Sequence, residues 1–355
     1  MGTERSGFKI FDRVFYYRQG TTDEAIEIDP IRLQIKELVD YPKLVDSGLV
    51  FVCPNSVAEK DVRALISGLS NRKIIFVNCA ENIYGKINLH SHVYALFRRM
   101  KFSEEWSERL VLNPFSLRAL NIPSPIQSDS YFKHIVREGK SNHYFLLTND
   151  IDRKSSNFFF APYFYFFCRD RVHTITQRAW RNDGSREFCA FIVSNPNNPD
   201  RITFFKKLSA VKQVDSLGKI FRNRQPEDLN REHVVLDAQR NNQKYEQYKF
   251  VICFENSYAK GYITEKIVNA IAGGAIPIYK GAPDIGRYFN RNRIIDFADY
   301  GSFDAMIEKI LQLDSDDSQY RTFINQPIFA SSNIVPEIDS HNIRLKRFIE
   351  GILNE

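Results

Sequence analysis

Six residues capable of chemistry stand close together between positions 255 and 266: Glu255, Asn256, Tyr262, Thr264, Glu265 and Lys266. An apolar run from Tyr248 to Phe254 delivers Glu255, Asn256 and Ser257 to its carboxyl end. A loop containing Gly261 then leads into a helical pattern over 263–272, whose start carries Tyr262, Thr264, Glu265 and Lys266. Unpaired N–H groups and the dipole at a helix start attract an anion, above all a phosphate. Lys266 adds a positive charge at the same place, and Glu265 suits sugar or ribose hydroxyls better than phosphate. The same residues also suit a plain amphipathic helix, capped by Thr264 with an acid early and a base after it. Spacing alone leaves both open.

The elements that must position these residues follow an alternating strand and helix pattern. Leu49–Cys53 reads as a strand, 57–69 as a helix with Val62, Leu65, Ile66 and Leu69 on one face, and Lys73–Asn78 as a second strand. Such a unit implies parallel strands with a ligand crevice at their carboxyl ends. From 88 to 183 the pattern is irregular, broken at Asn113-Pro114, Pro123-Ser124-Pro125 and Asn182-Asp183-Gly184. Within it, Asn157–Cys168 reads as one or two buried strands. Alternation resumes with a strand at Phe188–Val193, helix-like text over 201–211, and strands at 250–254, 275–279 and near 294–297. The polar segment 219–242 reads as a surface loop or lid. Ser302 caps a helix with Phe303, Met306, Ile307 and Ile310 on its apolar face, and a final helix covers 343–353.

A chain of 355 residues accommodates two domains, and 43% hydrophobic with 26% charged residues excludes a disordered or collagen-like protein. Lys and Arg outnumber Asp and Glu by 49 to 43, a formal +6 that suits a polyanionic ligand such as a nucleotide. The five cysteines show no close pair and read as buried thiols. Neither a signal-peptide pattern at the start nor a membrane-length apolar run is evident. The reading is a cytoplasmic protein, with peripheral contact at a membrane left open by the aromatic stretch 157–168.

The run Phe254-Glu-Asn-Ser257 followed by Tyr262-Ile-Thr-Glu-Lys266 closely resembles the donor-binding motif of the α1,3/4-fucosyltransferases, glycosyltransferase family ten. The likeness continues through Ala275–Gly281 and extends upstream to Arg186–Pro196 and Arg201, and it is greatest to the bacterial branch. The N-terminal half matches in outline only, with Glu81 following a strand where the family has an acidic residue.

What the resemblance implies is an α/β fold of GT-B type, two Rossmann-like domains facing a cleft. Residues 1–183 would bind the acceptor, 184–325 would bind GDP-fucose, and 326–355 would form a helical segment packing back on the N-terminal domain. The implied reaction is inverting and metal-independent, with no cofactor. Fucose would move from GDP-fucose in α1,3 linkage to a GlcNAc-containing, N-acetyllactosamine-like glycan. By the same likeness Arg201 and Lys266 would neutralise the donor diphosphate, and Glu81 would be the general base. Tyr262 and Glu265 would hold ribose or diphosphate, and Ser194, Asn195, Glu255, Asn256 and Thr264 would complete the pocket.

Other signals compete. Asp150-Ile-Asp152 has the spacing by which metal-dependent transferases hold a cation, and His90-x-His92 could hold a metal but has no evident third ligand. A different sugar donor on the same scaffold is the main alternative. A basic nucleic-acid-binding protein is disfavoured, because the aromatic residues lie in apolar runs rather than among the basic ones. No oligomeric state is implied.

Overall fold

The computed structural model describes residues 8–11, 14–17, 50–52, 73–77, 140–148, 150, 155–177, 186–193, 198–224, 244–256 and 258–354. They build two sheets. In the first, β1 (Phe8–Phe11) and β2 (Val14–Tyr17) form an antiparallel pair. It continues in parallel through β3 (Val50–Val52), β4 (Ile74–Val77), β5 (His143–Leu147) and β6 (Phe158–Phe160).

The second sheet holds β7 (Glu187–Phe191), β8 (Val214–Ser216), β9 (Tyr248–Phe254), β10 (Ile276–Lys280) and β11 (Ile295–Asp296), all parallel. Its spatial order is β11-β10-β9-β7-β8. The chain therefore starts inside the sheet at β7, steps outward to β8, and returns on the other side of β7 to lay down β9, β10 and β11. Crossovers leave β7 and β9 in opposite directions, which opens a crevice between their carboxyl ends, the switch point where open α/β sheets bind ligands.

Burial explains why β9 reads as a continuous apolar run. Every residue of it except Lys249 is buried, because helices cover both faces of a parallel sheet. On one face lies α3 (Pro199–Val211), which buries Ile202, Phe204, Phe205 and Leu208. Beside it are α5 (Phe303–Ser315) and α6 (Asp317–Ile324), contributing Met306, Ile310, Tyr320 and Ile324. The opposite face receives Ile267, Val268 and Ile271 of α4 (Glu265–Ala272). The same core takes in α1 (Tyr163–Phe167), α2 (Arg169–Gln177) and α7 (Ile334–Asn354).

Helix α7 is shared between the two halves. Its Ile338, Leu345, Ile349 and Ile352 are buried, the Ile352 carbonyl accepts from Lys73 Nζ at 2.6 Å, and Phe348 lies 5.5 Å from Phe159 of β6. Tyr165 of α1 donates to Glu337 at 3.1 Å, and His173 of α2 meets Asp339 at 2.7 Å. The C-terminal helix thus packs back onto the first sheet.

Several elements differ from the reading of the sequence. Asn157–Cys168 is one strand and one helix, since Pro162 breaks β6 and stands as N-cap of α1. The stretch read as irregular contains β5, β6, α1 and α2. The last helix starts at Ile334 rather than 343, tolerating Pro336 in its first turn. The helix expected over 57–69 and most of the segment 219–242 lie outside the described residues. Cys168, Cys189 and Cys253 are buried free thiols, and burial raises all three above the ordinary thiol range.

Gly261 lies where the two halves meet at close range. Its φ is +70°, its N–H donates to Asp284 at 2.8 Å, and a Cβ there would stand 2.5 Å from the Phe160 ring and 3.0 Å from the Asp150 nitrogen. The adjacent Lys260 carbonyl accepts from Asp150 N–H at 2.8 Å. Gly261→Ala is expected to destabilise by about 1–2 kcal/mol from the left-handed backbone alone, with the clash adding to it, as read from urea unfolding.

Candidate functional site

Asn198 caps α3 by accepting from the Asp200 N–H at 3.0 Å, with Pro199 at the first helical position. The cap sets the helix start against the end of β9, where Asn198 Nδ2 also donates to the Glu255 carbonyl at 2.7 Å. Arg201 follows on the first turn and is 2% exposed. Its Nε donates to the Phe254 carbonyl at 2.9 Å and its Nη2 to Asn256 Oδ1. Burial draws the guanidinium below its ordinary value, while Glu255, Tyr262, Tyr258 and Glu265 push the other way. A guanidinium stays charged throughout the working range of pH. Two of its five donors are thus fixed to the strand end.

From the other face of the sheet, α4 presents Thr264 as N-cap and Glu265 and Lys266 in its first turn. Glu255 is fully buried and turns toward that helix. Its carboxylate accepts from the Thr264 N–H at 2.8 Å, from the Thr264 hydroxyl at 2.8 Å and from Lys266 Nζ at 3.0 Å. The Thr264 oxygen in turn accepts from Lys266 Nζ at 2.9 Å. Phosphate was the anion expected at this helix start. In the structure the carboxylate of Glu255 takes the Thr264 N–H at the start of α4 for itself. Lys266 is left with its side chain 24% exposed and its ammonium held at the mouth of the crevice.

Arg201 and Lys266 therefore reach Asn256 and Glu255, adjacent residues at the end of β9, from opposite faces of the sheet. Asn256 is exposed beside them, Tyr262 is buried and Glu265 half-buried. The arrangement offers a polyanion two cations and a carboxamide, with the half-buried Glu265 beside them to meet hydroxyls. Glu81, Ser194 and Asn195 lie outside the described residues.

A second cluster was not anticipated. Lys280, at the end of β10, pairs with Asp200 at 2.7 Å, and Tyr258 donates to the same carboxylate oxygen at 2.9 Å. Rings of Phe297, Phe303 and Tyr258 surround the Lys280 ammonium at 4.0, 5.0 and 5.1 Å. This knot braces the loop that carries Asn256. Its signal in the sequence is faint: Lys280 ends an apolar run, and Asp200 follows an ordinary Asn-Pro cap.

Asp150 faces Lys260 at 3.5 Å, and Asp152 and the pair His90 and His92 lie outside the described residues. Among the described residues no group of three or more His, Cys, Asp and Glu side chains could hold a metal ion. Among them, too, no helix is long and apolar enough to cross a membrane. His143 is buried in β5 against Phe76, and burial with Lys140 lowers it below its ordinary value, so it belongs to the core.

Two Rossmann-like halves, joined by a shared terminal helix and carrying a charged crevice at the switch point of the second sheet, define the GT-B class of glycosyltransferase folds. A solved structure of an alpha1,3-fucosyltransferase has this fold: it aligns over 96% of this chain and 90% of its own, with a TM-score of 0.57 and 18% identity. Residues 183–326 match the family model described as glycosyltransferase family 10 (fucosyltransferase), C-terminal. The alpha-(1,3)-fucosyltransferase of Helicobacter pylori is 33% identical over 135 residues, 38% of this chain and 26% of that protein. A protein of Acanthamoeba polyphaga mimivirus is 28% identical over 225 residues, 62% of this chain and 35% of its own length. The chain thus matches about a third or less of the length of these relatives.

Proposed function

We propose that the protein is an inverting α1,3-fucosyltransferase that moves fucose from GDP-fucose to a GlcNAc-containing, N-acetyllactosamine-like acceptor without a metal ion. The observation that carries this reading is the pair of cations at the switch point. Arg201, fixed to the end of β9, and Lys266, held on Glu255 and Thr264, flank one crevice from opposite faces. Two cations of this kind neutralise a diphosphate leaving group, and preorganised donors stabilise the charge that develops as it departs.

In this mechanism an acceptor hydroxyl attacks the anomeric carbon from the face opposite the diphosphate. One C–O bond forms as the other breaks, and the hydroxyl proton passes to a carboxylate base. Glu81 takes that role. Tyr262 and Glu265 bind the donor's ribose or diphosphate, Ser194, Asn195 and Asn256 line the pocket, and Glu255 with Thr264 orients Lys266. We place the activity in the cytoplasm, with the buried thiols of Cys168, Cys189 and Cys253 compatible with a reducing compartment.

The test is transfer from GDP-fucose to a panel of small glycans, with the product linkage determined and EDTA present in a parallel series. GDP and GDP-fucose are expected to raise the melting temperature. Absence of both the thermal shift and transfer sinks the proposal, and transfer from a different nucleotide sugar would replace the donor only. Glu81→Ala is expected to bind GDP normally while turnover falls by about 10²–10⁴-fold. Retained turnover removes Glu81 as the base.

A further inference from the structure

At the end of the second sheet opposite the crevice, two guanidinium groups lie near each other, and among the described residues neither has an ion-pair partner. Arg293, in the short turn Arg291–Arg293 before β11, is fully buried. Its Nη1 reaches the Ala275 carbonyl at 3.4 Å, and among the described residues Nε and Nη2 have no hydrogen-bond partner. Arg186, just before β7, donates to the neighbouring carbonyl of Gly274 and lies 3.4 Å from that of Tyr248. Burial draws Arg293 down to about 10; Tyr320 pushes the other way, and the nearby Arg186 charge adds to the lowering. At neutral pH it remains protonated.

The carboxylates of this corner are engaged elsewhere. Asp314, whose charge reaches Tyr320, is held by Lys212 and by Lys249 at 3.1 Å. Glu187, next to Arg186, pairs with Arg224 at 3.2 Å. Tyr320, whose oxygen Arg186 reaches, gives its own proton to the Lys249 carbonyl at 3.3 Å, so it supplies no negative charge here. A buried polar donor left unpaired is rare, and a buried cation without a partner is rarer. Water would satisfy the donors of Arg293 but leave the charge uncompensated, whereas an anion does both.

We propose that Arg293 and Arg186 hold a small monovalent inorganic anion of the halide class between the starts of β7, β9, β10 and β11. The anion is structural. It neutralises the corner that joins the four strands and lies at the opposite end of the sheet from the crevice that binds the donor.

Chloride is the probe. The melting temperature of the full chain is measured as sodium chloride replaces sodium gluconate at constant ionic strength, and the ³⁵Cl line width is recorded with the same protein. The expected result is a saturable rise of about 4 °C, from the linkage of a site filled well above its dissociation constant. Protein-dependent broadening, displaced by bromide, should accompany it. In Arg293→Met both responses disappear, whichever way its own melting temperature moves. Should that variant fail to fold, Arg186→Met is expected to weaken the line broadening at least tenfold in chloride affinity. Equal melting temperatures in the two salts without broadening overturn the proposal, as does broadening of unchanged chloride affinity in whichever variant folds.

Discussion

Lys266→Ala is expected to lower fucosyl transfer by about 10²–10³-fold in kcat, the loss that follows removal of one preorganised donor to a developing anion. The structure adds a second consequence. Lys266 is the cation on a fully buried carboxylate, so its removal leaves Glu255 with only the Thr264 N–H and hydroxyl. A buried pair broken from one side costs about 3–5 kcal/mol, less here because Lys266 is partly solvated. Activity and stability therefore fall together, and the single variant cannot assign the loss to chemistry. The double variant Glu255→Gln with Lys266→Met separates them, since a neutral amide still accepts from Thr264 and no charge is stranded. It should recover most of the stability in urea unfolding and none of the transfer. Recovery of transfer would mean that Lys266 acts through the fold alone.

Arg201→Ala is the second large effect. Truncation removes a buried side chain that ties α3 to the Phe254 carbonyl and to Asn256, so about 2–4 kcal/mol of stability is expected to go with it. Transfer should fall at least 10²-fold. Arg201→Lys is the informative variant. Its ammonium keeps the charge but lacks the planar fork, so it cannot hold the Phe254 carbonyl and Asn256 while still facing the crevice. Transfer is expected to stay about tenfold or more below wild type, with GDP affinity reduced in step. Wild-type kinetics in Arg201→Lys would show that charge alone suffices at this position.

The second sheet was legible in the sequence because burial on both faces leaves its strands as unbroken apolar runs ended by polar residues. Phe250–Phe254 and Ala275–Tyr279 are of this kind. The caps Thr264 and Ser302 were equally plain, since each opens a stretch of helical apolar period, Ile267–Ile271 and Phe303–Ile310. Short elements were not. Val214–Ser216 is a three-residue strand containing Asp215, which is buried only because Tyr248, Arg224 and Gln213 satisfy its carboxylate. Such a residue reads as loop until its distant partners are known.

In the site, residue types near 255–266 announced an anion but not its identity. Glu255 was read as part of the donor pocket, and its turn toward Thr264 and Lys266 depends on tertiary placement that no local pattern encodes. The knot of Asp200, Tyr258 and Lys280 spans three separate elements and was invisible for the same reason.

Helix α7 carries a consequence for how the molecule is made. Its residues are made after both sheets, yet Ile352 receives Lys73 and Phe348 lies against Phe159 in the earlier half. The early half therefore waits, with part of its apolar face uncovered, until residues 334–354 have emerged. A nascent chain stalled anywhere before residue 334 exposes that face to chaperones. Deleting residues 334–354 should accordingly injure the first sheet more than the second sheet that directly precedes them.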